Sequence, residues 1–201
     1  MELSDISMNL EKRNFSSHVC DSAEEAGQYV LSLIGSGSVG IGGSATVKQL
    51  GLYEALVSQG NEVHWHWPVE KEQKAAERRK ALSMDFYLCS ANALTTSGSI
   101  LNIDGTGNRV SATVFGPKNI IMIVGKNKIV DSIEDGLERT RQECCPANAK
   151  RQNLKTPCAV IGKCTDCSSP DRMCNVFTIH ERKPKGFENF HVILVDEPLG
   201  L

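Results

Sequence analysis

The sequence predicts an α/β protein built on an open, mostly parallel sheet with helices on both faces. Three observations predict it. Strand-like and helix-like segments alternate along the 201 residues, the order that lays crossover helices over a parallel sheet. Ile120 to Val124 is apolar at every position, as in a strand buried on both faces. Two glycine-rich segments follow strand-like runs, where such sheets place their ligand-binding loops.

The elements follow in order. Residues 2–13 read as a polar, amphipathic helix. Ser22 offers a capping box with Glu25 and opens a helix carrying Ala26, Tyr29, Val30 and Leu33 at helical spacing. Val39 to Ile41 is a short strand ending in Gly42, Gly43 and Ser44, and ATVKQLGLYEALVSQG is helical with a break at Gly51. Glu62 to Trp67 reads as a strand that Pro68 stops. Residues 70–82 form a solvated helix whose quieter side holds Ala75, Ala76 and Leu82.

Phe86 to Cys89 is the next strand, followed by the small-residue stretch SANALTTSGS, a strand at Ile100 to Ile103 and a turn over Asp104 to Gly107. Beyond Ile120 to Val124, residues 129–142 and 146–153 read as helices, and Val176 to His180 and Phe190 to Val195 as the last strands. With no internal repeat, low-complexity tract or long linker, a single domain over residues 1–201 is expected. A cysteine-rich excursion occupies about residues 144–175.

Composition narrows the function classes. Lys and Arg number 22 against 24 Asp and Glu, a net charge of −2, which argues against nucleic-acid binding through a basic face. Aromatic residues are 5% of the chain, too few for base-stacking platforms. The start, MELSDISMNLEKRNF, shows no basic segment followed by an apolar run, and no stretch approaches the ~20 apolar residues of a membrane helix. A cytoplasmic protein with no membrane partner is the expectation. No GxSxG elbow or Ser–His–Asp order is present.

The first loop, IGGSATVKQLG, sets Gly42, Gly43, Ser44 and Thr46 between a strand and a helix. Glycines admit an anion to backbone N–H groups, the hydroxyls can donate, and Lys48 can supply charge. A tight turn with Ser44 as helix cap is the plainer reading of the same residues. The second segment, SANALTTSGSILNIDGTGNRVSATVFGPKN, concentrates Asn92, Thr95, Gly98, Asn102, Asp104, Gly105, Asn108 and Arg109. Arg109 is the candidate clamp for a carboxylate or phosphate, because a guanidinium pairs bidentately with planar anions. A surface arginine in a solvated turn is the alternative. A small anionic metabolite is the expected ligand of both loops.

Eight cysteines are present, and six fall between 144 and 174. In a reducing compartment clustered cysteines are metal ligands or redox groups more often than disulfides. Cys164, Cys167 and Cys174 give C-x2-C-x6-C, in which the first pair reaches one centre from a tight loop and the third returns after Pro170. Three thiolates fall short of the four that ordinarily hold an iron–sulfur cluster or a structural zinc. A [4Fe–4S] cluster with an open iron, or with Cys144, Cys145 or Cys158 completing the set, is the sharp hypothesis. Zinc and simple redox-active or buried thiols are the alternatives. His64 and His66 share a strand face, which suits an edge strand beside a pocket better than a metal site lacking a visible third ligand.

IGGSATVKQLGLYEAL, SANALTTSGSILNIDGTGNRVSATVFGPKNIIMIVGKNKIV and the ending HVILVDEPLGL together resemble the LUD (lactate-utilisation) domain family, most closely its short stand-alone members, which also carry a GKCTDCSSPDRMCN-like segment. The resemblance runs from about residue 5 to the C-terminus. It implies a Rossmann-like fold related to ribose-5-phosphate isomerases and CoA-transferases, and a part in oxidation of lactate or a related small hydroxy- or oxo-acid beside iron–sulfur redox partner proteins. CoA-transferases of that fold use a Glu nucleophile, and no Glu lies between Glu77 and Glu134. A non-catalytic accessory or regulatory protein, its cysteine site only a staple, is the alternative function.

Overall fold

The computed structural model describes residues 2–201. The chain begins with α1 (Leu3–Lys12), β1 (Ser16–Cys20) and α2 (Ala23–Ile34). Ser22 caps α2 by accepting the Glu25 N–H at 3.2 Å, while the Glu25 carboxylate takes the Asp21 N–H at 2.7 Å. The expected box therefore closes one residue earlier than Ser22. Next come β2 (Val39–Ile41), α3 (Ala45–Gln49) and α4 (Leu52–Ser58). Gly51 divides the last two with φ +62°, a left-handed conformation that glycine adopts without a Cβ clash.

Beyond them lie β3 (Val63–Trp65), α5 (Lys74–Ala81), β4 (Phe86–Cys89), β5 (Ala93–Thr95) and β6 (Ile100–Asp104). They are followed by α6 (Asn108–Phe115), β7 (Asn119–Gly125), β8 (Ile129–Val130) and α7 (Ile133–Arg139). The chain closes with α8 (Cys145–Arg151), α9 (Pro157–Ile161), β9 (Val176–His180) and β10 (Asn189–Val195). The helix expected from residue 129 starts only at Ile133, because Ile129 and Val130 pair with β5 as a strand.

The principal sheet has six strands in the order β1-β10-β7-β4-β2-β3, and every neighbouring pair is parallel. Alternation along β7 builds the two core layers. Ile121 and Ile123 join Leu88, Ile193, Val30, Ile34 and Leu56 beneath α2 and α4. Ile120, Met122 and Val124 join Tyr87, Leu194, Ile6, Leu10 and Ala112 on the other face, against α1 and α6. Each buried Ile, Leu, Val or Met among them contributes about 1.5–3 kcal/mol, so the central strand anchors both layers.

Helices do cover both faces, but one face also carries a second sheet. Its order is β8-β5-β6-β9, and its Leu94 and Ile100 pack into the layer that holds α1. Between α7 and α8 the helical path widens into a π turn over Thr140–Cys144, where the Cys145 N–H bonds back to the Thr140 carbonyl. Pro146 explains it: proline has no N–H to give and its ring crowds the carbonyl four residues back. The turn buries Cys144 and Cys145, each 3% exposed.

Candidate functional site

Four parallel strands end on one cavity of about 170 Å³. From the end of β2 come Gly43, Ser44 and Thr46, from β3 His66 and Trp67, from β4 Ser90 and Asn92, and from β7 Lys128. Asp104, Gly105, Asn108 and Arg109 close it from β6 and α6, and Cys144, Cys145 and Arg151 from the π turn and α8. The crevice beyond the carboxyl ends of parallel strands is where open α/β sheets bind ligands, because the loops there diverge and leave space. A cavity of ~150 Å³ admits a benzene-sized molecule, so this one suits an acid of roughly six to ten heavy atoms.

Both glycine-rich segments therefore converge, though not every residue expected of them. Gly42 sits just behind the wall, where its carbonyl accepts the Trp65 indole N–H at 3.1 Å. Ser44 caps α3 by accepting the Val47 N–H at 3.2 Å and lines the cavity as well. Thr95 closes the β5–β6 turn, its hydroxyl accepting the Ser99 N–H at 2.8 Å. Gly98 packs on Asn9 of α1 and on Arg13 just after it. Asn102 is fully buried on β6, opposite Thr178, with neither amide atom bonded. The hairpin turn points toward α1, away from the strand ends, so Thr95 and Gly98 lie outside the cavity, as does Asn102 within the second sheet. Lys48 is exposed and faces away from it.

Arg109 is a strut more than a free clamp. Its Nε and Nη2 donate to Asp104 Oδ1 at 3.0 and 2.7 Å, Nη1 to the Ser90 carbonyl at 3.0 Å, and Nη2 also to Asn92 Oδ1 and the Ile103 carbonyl at 2.7 Å. These bonds lock β4, β6 and α6 together around the cavity floor.

The cations available to a ligand are others. Arg78, on the charge-rich α5, turns inward with its Nε buried and unbonded. The Arg151 guanidinium lies 4.8 Å over the Trp67 ring. Asp104 is the one acidic side chain among the described residues that line the cavity, and Arg109 neutralises it. The surplus of positive charge favours an anion.

Burial weakens the charge of two bases in the wall. His66 is held down to about 4, first by burial and then by the charges of Arg78 and Lys74. Lys128 is brought down to about 7, chiefly by burial, with Arg109 and Arg139 adding repulsion. Among the described residues its ammonium has no carboxylate partner, and Nζ lies 2.8 Å from each of Thr46 Oγ1 and Ser90 Oγ. His64 turns outward between Glu62 and Glu77 at 3.0 and 2.7 Å, so β3 is an edge strand beside the pocket and the two histidines do not share a ligand.

The cysteine excursion docks directly on the second loop. The Asn175 N–H donates to the Asp104 carbonyl at 3.0 Å and its amide to the Gly105 carbonyl at 3.1 Å. A Cβ on Gly105 would stand 2.9 Å from the Met173 carbonyl oxygen, so this approach needs glycine. A smaller cleft behind the cavity is lined by Cys145, Cys164, Cys174, Arg141 and Arg172. Cys145 faces both spaces. Burial pushes its thiol up to about 12, helped by the neighbouring Cys174, Cys144, Cys164 and Cys158.

The loop around these sulfurs is ordered by its own polar contacts. The Asp166 N–H donates to Cys164 Sγ at 3.4 Å, and Arg172 holds the carbonyls of Cys167 and Cys174 at 2.7 and 3.3 Å. Among the described residues, no three of the clustered sulfurs come within 4.8 Å of one another; only His18, Cys20 and Glu25, beside the opposite edge strand, make such a group. A tetrahedral zinc with Zn–S bonds of ~2.3 Å brings its sulfurs to roughly 3.8 Å. The set is wider than a single ion requires. A polynuclear cluster, whose irons occupy separate corners, takes its thiolates farther apart.

The comparisons with known proteins agree with this architecture. The family model described as "LUD domain" matches residues 3–195. The crystal structure of a DUF162 family protein from Deinococcus radiodurans superposes with a TM-score of 0.55 at 17% identity, covering 96% of this chain and 95% of that one. No curated protein matches the chain. Among the described residues, no helix is long and apolar enough to cross a membrane.

Proposed function

The chain belongs to the LUD domain family, and from that premise we propose that it binds a small hydroxy- or oxo-acid in the strand-end cavity, beside a cysteine-held iron–sulfur centre, as part of lactate or related acid utilisation. The observation that carries this reading is Cys145, which lines the cationic cavity on one side and the cysteine cleft on the other. The acid's carboxylate lies against Arg78, Asn92 and Asn108, while His66 and Trp67 fill the outer wall. Arg109 holds the floor rigid beneath it, so binding costs little ordering.

Cys164, Cys167 and Cys174 hold the centre, with Cys145 as fourth thiolate. Arg141 and Arg172 beside them offset the charge that four thiolates accumulate. A [4Fe–4S] cluster bound there supplies one-electron transfer.

Anaerobic purification followed by iron, acid-labile sulfide and zinc analysis tests the centre. The expected result is roughly four irons and four sulfides per chain, lost together when Cys164, Cys167 and Cys174 are all replaced by Ala. Stoichiometric zinc, or a colourless protein with neither metal, overturns it. A triple variant that fails to fold points instead to an accessory protein whose cysteine site is a staple.

A further inference from the structure

Lys128 lines the cavity with an amine whose hydrogen-bonding inventory leaves one tetrahedral position unpaired. The side chain is 3% exposed. Ser90 Oγ gives its proton to the Ile123 carbonyl at 2.6 Å, and Thr46 Oγ1 gives its own to the Leu199 carbonyl or Ser90 Oγ, each at 3.3 Å. Both hydroxyls therefore accept from Lys128 Nζ. A neutral amine has two N–H groups and one lone pair. The two N–H groups are spent on Thr46 and Ser90, and no acceptor for a third proton is present among the described residues. One position on Nζ is left without a protein partner, on a residue that lines the cavity.

From this geometry we infer that Lys128 is a covalent anchor for a 2-oxo acid, forming an imine with its carbonyl carbon. This deepens the binding reading above and rests on it. The Nζ lone pair attacks the carbonyl carbon, a C–N bond forms, and the carbonyl oxygen takes the proton that the nitrogen sheds. The resulting hydroxyl leaves with the second amine proton as water, giving C=N, so one water is released and nothing is oxidised or reduced. Arg78 faces the acid's carboxylate from the same cavity.

The surroundings favour the neutral amine far more than water does. Arg109 from α6 and Arg139 from α7 oppose a positive charge there, while the thiols of Cys144 and Cys89 are the nearest groups able to favour one. Arg139 already engages Cys144, donating to its Sγ at 2.6 Å. Desolvated lysines beside other cations are the ones that serve as amine nucleophiles. A 2-hydroxy acid fits the same cavity and has no carbonyl to capture.

The test treats the purified full chain with pyruvate or L-lactate, adds sodium borohydride at pH 7, and maps adducts by peptide mass spectrometry. Binding of each acid is measured in parallel by calorimetry. The expected result is a saturable reduced adduct on Lys128 with pyruvate and none with lactate. It should form on the order of a thousandfold faster than on exposed lysines, the ratio of neutral amine at pKa about 7 and about 10.5. Lys128→Arg should abolish it, and mapping on the unaltered chain keeps the answer independent of how that variant folds. Saturable pyruvate binding without a Lys128 adduct, or adducts scattered over surface lysines, overturns the covalent anchor and leaves acid binding standing. Failure of both acids to bind overturns the two together.

Discussion

Replacing Lys128 by methionine asks whether the cavity truly holds an uncharged amine. The side chain is almost fully buried, without a carboxylate partner among the described residues, and its pKa falls from 10.5 to about 7. Between those values the unfolded chain binds a proton that the folded chain does not. Stability therefore rises with pH across this window, and the full penalty for charging the buried amine is present below pH 7. Each unit is worth about 1.4 kcal/mol, so the whole window is worth ~5 kcal/mol at most. Between pH 7 and 9 the wild type should gain about 2–3 kcal/mol relative to Lys128→Met. Other titrating groups are common to both chains and cancel in the difference. Urea melts of both proteins at pH 6, 7, 8 and 9, under reductant, measure it. Parallel stability curves for the two would refute the argument, because Lys128 would then be ionised when folded.

Other perturbations read other parts of the site. His66 has a folded pKa of about 4 against an ordinary value of 6.5, so its share of stability is lost as pH falls from 6.5 to 4. His66→Gln should lose about 3 kcal/mol less than the wild type over that range in urea melts. Gly105→Ala drives a methyl group onto the Met173 backbone, and should cost about 1–3 kcal/mol and speed proteolytic cleavage between residues 162 and 175. Arg109→Met strands Asp104 in a buried site, with an expected loss of about 3–5 kcal/mol by chemical denaturation. A loss under 1 kcal/mol would show that Arg109 is not the strut of the floor.

The sheet was legible where burial is two-sided. Phe86–Cys89, Asn119–Gly125 and Asn189–Val195 are apolar almost throughout because neither face meets water. Ser16–Cys20 was not, since it is an edge strand whose exposed side is polar. The helix Asn108–Phe115 hid inside a segment rich in Asn, Ser, Thr and Gly, residues that also suit a loop. Its burial against β6 and β9, a tertiary effect, decides the outcome.

The site divides in the same way. Glycine loops and cysteine spacing are local patterns and could be read directly. Arg78 looks like one charge of a solvated run in EKEQKAAERRKAL, and Lys128 like a turn residue in GKNK; only the fold turns them into the cavity. Asn92 to Arg109 read as one binding stretch, yet the hairpin between β5 and β6 carries Thr95 and Gly98 to the α1 side.

Calorimetric titration of pyruvate and L-lactate into the anaerobically purified chain, with Arg78→Gln beside it, tests the central claim most directly. Arg78 has a buried, unbonded Nε, so its loss should leave the fold intact and remove one charge-assisted hydrogen bond worth about 1.5–3 kcal/mol. The account predicts one saturable site per chain, weakened roughly 10- to 150-fold in the variant. Absence of saturable binding at millimolar acid, or equal affinity in both proteins, would contradict it.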